Sequence, residues 1–153
     1  MATSKAETGE GDALARRALN LIGSERRVLL GITGSPGAGK TTLARQLVDR
    51  INAITGSGET DPVAVYLPMD GYHLANATLD RLGIHDRKGA IDTFDGWGFV
   101  SLLRRVLVET DHEVYAPSFD RRVDEGIAGE IAVPASARIV VVEGNYLLID
   151  AEP

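Results

Sequence analysis

Cysteine is absent from this chain. That removes disulfides and thiolate metal sites and fits a reducing cytosol, so a cytoplasmic location is the expectation. Positive charge is in the minority: 16 Lys and Arg stand against 22 Asp and Glu, a formal net charge of −6. With no basic stripe along any segment, nucleic acid is disfavoured as the main partner. No apolar run approaches the roughly 20 residues of a membrane-spanning helix, and the N-terminus has Lys5 but no export-type apolar core. No internal repeat or low-complexity tract is visible. What remains is a chain of 153 residues, 44% hydrophobic, enough for one soluble globular domain with its own core.

The strongest positive signal is Gly34-Ser35-Pro36-Gly37-Ala38-Gly39-Lys40-Thr41, the G-x-x-x-x-G-K-T pattern of a phosphate-binding loop, continued by Thr42. Its context is what the pattern requires. The apolar run Val28–Thr33 predicts a buried strand before it, and Leu43, Leu47, Val48 and Ile51 fall on one face of a helix after it. Backbone N–H groups and the helix dipole then form an anion site. Gly34, Gly37 and Gly39 let the backbone approach the phosphates, Lys40 holds the β- and γ-phosphates, and the Thr41 hydroxyl ligates Mg²⁺. ATP and Mg²⁺ are therefore the expected cofactors. A glycine-rich turn matching by accident is the alternative, and the flanking strand and helix argue against it.

Along the chain, residues 1–11 are small and polar and suggest a disordered tail before a domain over 12–153. Asp12 is a candidate cap for a helix to about Ile22, with Leu14, Ala18, Leu21 and Ile22 as its buried stripe. The run Val63–Pro68 predicts a second strand, which delivers Asp70 at its C-terminal end, the edge where open α/β sheets bind ligands. An aspartate there can take the proton of an attacking hydroxyl; a turn-forming Asp-Gly is the plainer alternative. His73 either contacts substrate or caps the next helix, a short one over residues 74–84. The polar stretch Asp86–Asp95 has no clean period and suggests a binding loop. In it Arg87 and Lys88 either meet an anionic group or form a solvated charge pair. Asp92 and Asp95 either bind substrate hydroxyls or, for Asp95, cap a helix carrying Phe99, Leu102, Leu103, Val106 and Leu107 on one face. Trp97 is expected in core or helix-entry packing.

A short strand is expected at Glu113–Pro117, an edge hairpin within Val123–Val133, and a central parallel strand buried on both faces at Arg138–Gly144. Glu143, closing that last strand downstream of a phosphate loop, has the position of a Walker B carboxylate near Mg²⁺. Asn145–Asp150 is expected to begin another element. The fold class predicted is α/β, three-layered, with a mainly parallel sheet and helices on both faces.

Taken together, the phosphate loop, Met69-Asp70-Gly71-Tyr72-His73-Leu74, Arg87-Lys88-Gly89-Ala90, Thr93-Phe94-Asp95, Tyr115-Ala116-Pro117-Ser118-Phe119-Asp120-Arg121 and Val142-Glu143-Gly144-Asn145-Tyr146-Leu147-Leu148 resemble the uridine kinase, phosphoribulokinase and bacterial pantothenate kinase superfamily. The likeness is to its nucleoside/nucleotide kinase-like branch, some members of which are labelled fructose-transport-system kinases, and runs from about residue 26 to the end. It implies an ATP-dependent kinase acting on a hydroxyl of a small molecule such as a nucleoside, a sugar or pantothenate. By the resemblance Asp70 matches the catalytic base and Glu143 the acid near the metal. Asp95, Phe119 and Asp120 fall in blocks lining the acceptor site, with Arg87, Lys88 and Tyr115 nearby. Relatives continue past the E-G-N-Y-L-L block into a lid with phosphate-stabilising arginines, whereas this chain stops at Pro153. The resemblance thus implies a domain short of that lid, and a catalytically weak or regulatory ATP-binding domain is the second reading. A buried strand left at an exposed sheet edge would also promote association into a homodimer.

Overall fold

The computed structural model describes residues 3–23 and 27–149. In chain order the elements are α1 (Thr3–Leu19), β1 (Val28–Thr33), α2 (Lys40–Thr55), β2 (Ala64–Pro68), α3 (Asn76–Leu82), α4 (Gly96–Val108), β3 (Val114–Asp120), β4 (Glu125–Val133) and β5 (Ile139–Gly144). Short 3-10 turns at Met69–Tyr72, His85–Arg87 and Ile91–Thr93 occupy the connections.

The sheet is built around β5. Ile139, Val140, Val141 and Val142 are β-branched, which suits a pleated strand covered on both faces, and every residue of β5 is buried. It pairs in parallel with β1 on one side and β2 on the other, giving the order β1-β5-β2. Alternate side chains sort into two cores. Ile139 and Val141 pack with Ala15 and Ala18 of α1 and Ala44, Leu47 and Ile51 of α2. Val140 and Val142 pack with Phe99, Leu102 and Val106 of α4 and with Val114, Ala116 and Val133 of the β3–β4 ribbon. The α/β architecture, with its parallel sheet between helical layers, is the one the sequence predicts.

The differences lie in seams and boundaries. α1 begins at Thr3, so residues 3–11 are helical where a disordered tail was expected. Asp12 is inside that helix and pairs with Arg50 at 2.9 Å instead of capping it. The buried seam of α1 consists of Ala15 and Ala18, which lets it approach Ala44 closely, while Leu14 and Leu21 face outward. On α2, likewise, Ala44 takes the core position and Leu43 is exposed. Trp97 is 56% exposed on the first turn of α4 and is not a core residue. β3 runs through Asp120, longer than the predicted strand, because β4 supplies it with an antiparallel partner from Val114↔Val133 to Asp120↔Glu125. A register shift between Ala116 and Ser118 accommodates Pro117, which has no N–H to donate. Residues 145–149 form turns and no further regular element.

Two close approaches fix the ribbon and α4. A Cβ on Gly71 would lie 2.2 Å from the Pro117 carbonyl oxygen, so the 3-10 turn after β2 meets β3 backbone to backbone. Arg27, immediately before β1, is 3% exposed. Its guanidinium donates to the carbonyls of Ala137 (2.8 Å), Val106 (2.8 Å) and Pro134 (2.7 Å). It thereby ties the negative C-terminal end of α4 to the turn that leads into β5. Desolvation pulls its pKa below the ordinary arginine value.

Candidate active site

The parallel register determines what meets at the sheet's C-terminal edge. Glu143 lies beside Ile32 on one flank and Pro68 on the other. One connection from that edge is the phosphate loop, and the other is the Met69–Tyr72 turn with Asp70. Between them opens a cleft of about 970 Å³, lined among others by Gly37, Lys40, Thr41, Thr42, Asp70 and Glu143.

On the loop side, Gly37 and Gly39 have φ of 78° and 81°, left-handed backbone that a side chain would strain, and Gly39 leads into α2. Lys40 Nζ donates to the Ser35 carbonyl at 2.9 Å and stands 4.0 Å from Glu143 Oε1. Thr41 Oγ1 donates to Glu143 Oε2 at 3.2 Å, and the Tyr66 hydroxyl donates to the same oxygen at 2.8 Å. Burial first, and then the Glu143 carboxylate, raise the Tyr66 phenol above its ordinary pKa, so it stays a donor. A hydroxyl and a carboxylate side by side are hard oxygen donors, and among the described residues no group of three or more His, Asp or Glu is placed to hold a metal ion. That set fits Mg²⁺, which is usually held by one or two protein oxygens together with phosphate oxygens and water.

Asp70 stands on the opposite wall, partly buried, at the start of the 3-10 turn. Its backbone carbonyl accepts from the His73 N–H at 3.2 Å and from His73 Nδ1 at 2.8 Å. A carbonyl only accepts, so Nδ1 is the donor in this bond. The imidazole is clamped between Phe94 and Phe119, with ring centroids 4.0 and 4.7 Å away. His73 therefore braces Asp70, and α3 has Ala75 at its N-cap with no side-chain cap. Phe119 lines the cleft together with Pro36, Gly37, Gly39, Lys40, Thr41 and Thr42; Gly34, Ser35 and Ala38 do not.

The remaining predicted site residues are engaged elsewhere. Arg87 pairs with Asp92 at 2.9 Å on the surface. Lys88 is turned to the β3–β4 turn, where it bonds Asn76 Oδ1 at 2.5 Å and Asp124 Oδ2 at 3.0 Å and sits over the Phe119 ring. Asp95 caps α4 by accepting from Gly98 N at 2.8 Å. Tyr115 is turned outward by the alternation of β3, with its hydroxyl on Glu113 at 2.5 Å. Asp120 is held by Arg122 at 2.6 Å, which lowers its pKa to about 2. None of these five lines the cleft. In their place the cleft takes Tyr66 and Arg45, with the guanidinium over the Tyr66 ring at 5.2 Å, and Ser118, Arg121, Glu130 and Ile131 of the ribbon. The ribbon residues were hidden because the β3–β4 register is a long-range fact.

No protein-family model matches the chain. It is 39% identical to a provisionally named uridine kinase of Schizosaccharomyces pombe over 146 residues, 93% of this chain and 60% of that protein. It is 34% identical to a pantothenate kinase of Enterococcus faecalis, over 80% of this chain and 39% of that one. Among solved structures, a provisionally named fructose transport system kinase from Silicibacter sp. TM1040 superposes with a TM-score of 0.79 at 38% identity, covering 92% of this chain and 66% of that one. The chain thus spans between about two fifths and two thirds of the length of these relatives. A phosphate loop facing an acid-closed central strand, in a chain 34–39% identical to these kinase-named relatives, places it in the P-loop kinase superfamily of uridine kinase and pantothenate kinase.

Proposed function

We propose that the chain is the catalytic domain of an ATP-dependent kinase that phosphorylates a hydroxyl of a small molecule. The observation that carries this reading is the single cleft surface joining the phosphate loop, Glu143 and Asp70. Mg·ATP, when bound, supplies the transferable γ-phosphoryl group and the counter-charge for it. Thr41 and Glu143 would hold the metal, with Tyr66 fixing the Glu143 carboxylate through their 2.8 Å bond. Lys40 has its ammonium free to leave the Ser35 carbonyl and neutralise charge on the transferring group. Asp70 lines the same cleft and accepts the proton of the attacking hydroxyl, while His73 holds the Asp70 backbone in place. Names of relatives span uridine, pantothenate and fructose transport, so they support the reaction class and leave the acceptor open.

The test is transfer of label from γ-labelled Mg·ATP to a panel of nucleosides, pentoses, hexoses and pantothenate. Lys40→Ala should lower transfer by about 10³ or more, and Asp70→Asn by about 10²–10⁴ while leaving ATP binding intact. Full transfer in either variant overturns the roles assigned. ATP binding with no acceptor phosphorylated would favour a regulatory nucleotide-binding domain instead.

A further inference from the structure

Among the ion-paired basic side chains of the described residues, two are nearly buried: Lys40 of the phosphate loop, 9% exposed, and Lys88, 11% exposed. Lys88 does not line the cleft, yet its ammonium uses three acceptors. These are Asn76 Oδ1 at the start of α3 and both the carbonyl and the carboxylate of Asp124 in the β3–β4 turn. The end of the ribbon meets Asn76 twice more, with Asn76 Nδ2 donating to the Asp124 carbonyl at 3.2 Å and Asn76 N to Glu125 Oε1 at 2.9 Å. Asp124 has φ of 55°, a left-handed conformation that costs a residue with a side chain about 1 kcal/mol or more. The segment carrying Lys88 is fixed in turn. Gly89 N donates to Thr93 Oγ1 at 2.9 Å, and the Gly89 carbonyl accepts from the Tyr146 hydroxyl at 2.8 Å.

This latch adjoins the aromatic clamp behind Asp70. Of the two rings that hold the His73 imidazole, Phe94 is fixed by backbone pairing with the segment that follows Asp70. Leu74 N donates to the Thr93 carbonyl and Asp95 N to the Tyr72 carbonyl, both at 2.8 Å. Phe119 instead belongs to β3, one residue before its paired end at Asp120, and Lys88 Nζ lies 5.3 Å from its ring centroid. A cation held at an aromatic ring attracts it, more strongly where water is excluded. We propose that Lys88 is a positioning residue. By fastening the β3–β4 turn and the Phe119 ring, it keeps the Phe119–His73 contact, and through His73 the Asp70 backbone, in the geometry used for phosphoryl transfer. Only the role of Asp70 in this relay rests on the kinase reading.

The test uses two variants of the full chain. Lys88→Met keeps the aliphatic stem and removes the ammonium. Asp124→Gly removes the carboxylate and suits the positive φ, so it keeps its fold even where Lys88→Met loses it. The first readout is the magnetic resonance spectrum of the three histidine rings, with His73 assigned by its loss in His73→Gln. Ring currents of Phe94 and Phe119 should set the His73 resonance of the parent apart from those of His85 and His112, whose side chains are 42% and 54% exposed. In both variants it should move toward the other two. Lys88→Arg should restore part of the displacement, since a guanidinium also stacks on a ring and pairs with a carboxylate. The second readout is label transfer from γ-labelled Mg·ATP to whichever compound of the panel accepts it. There kcat should fall about 10–10²-fold, with KM for ATP and affinity for a non-hydrolysable ATP analogue unchanged. A purely structural lysine would lower the thermal midpoint of Lys88→Met and leave kcat of the folded Asp124→Gly untouched. An unmoved His73 resonance in the variants overturns the proposal, as does a moved resonance with kcat intact. A parent that phosphorylates nothing overturns the kinase reading instead, and the spectra then uphold or overturn the hold of Lys88 on Phe119 and His73 by themselves.

Discussion

Glu143 divides its two oxygens between different duties: Oε2 receives Thr41 and Tyr66, and Oε1 faces Lys40. The Tyr66 phenol belongs to the protonated state of this arrangement, and its pKa is raised above the ordinary 10.0 by burial and by Glu143. A folded-state pKa above the unfolded one means that the bond's contribution is complete below the unfolded value. It is lost as pH rises through the higher folded value. Tyr66→Phe should therefore cost about 1 kcal/mol at neutral pH and should flatten the loss of stability between about pH 9 and 12, as read from urea midpoints. An equally steep alkaline decline in the variant would show that Tyr66 is not the group responsible. That Lys40, Thr41 and Glu143 meet in one cleft was legible at this scale, the first two from the phosphate-loop spacing and Glu143 from its place at the end of a β-branched strand. Tyr66 was not, since a tyrosine in an apolar strand carries no mark of the carboxylate it will meet 77 positions along the chain.

At the scale of elements, Arg27 and Gly71 do the joining. Arg27 gathers carbonyls from α4 and from the turn before β5, and removing it leaves several buried acceptors unpaired. Arg27→Met should lower unfolding free energy by about 2–4 kcal/mol, and Arg27→Lys should recover little, because a single ammonium cannot span the same carbonyls. Denaturant melts at neutral pH decide it; a variant within about 0.5 kcal/mol of the parent refutes the linkage. Gly71→Ala sets a methyl against the Pro117 carbonyl, a backbone atom that has no rotamer in which to escape. The Asp70 turn and the ribbon must then separate, so both thermal midpoint and acceptor affinity should fall while affinity for ATP is largely kept; a midpoint equal to the parent's would contradict the close packing. Helix and strand existence was legible from periodicity, as β5 and α4 illustrate. The seams were less so: α1 and Ala44 of α2 bury alanine and expose leucine, because a close helix approach selects for small residues over the most hydrophobic ones.

For the whole molecule, the parallel sheet and its ligand-binding edge followed from the phosphate loop and the valine-rich strand. The pairing of β3 with β4, and with it the identity of the residues opposite the phosphate loop, did not, because periodicity reports what one segment buries and not which distant segment buries it. Sheet order carries a further consequence, in the time domain. β1 and β2 do not touch; each pairs only with β5, which comes after both in the chain. Joining Val28 to Ile139 closes a long loop, and the entropy of that closure must be met before β1 makes any sheet hydrogen bond. A fragment ending at Arg138 should accordingly lack the parallel sheet, with β1 and β2 amides unprotected in hydrogen exchange, and a protected β1 in it would disprove this order. The strand that completes the core also carries Glu143, so the acid reaches the phosphate loop only in the event that makes the domain whole. Partly folded chains are thereby kept from presenting a finished nucleotide site.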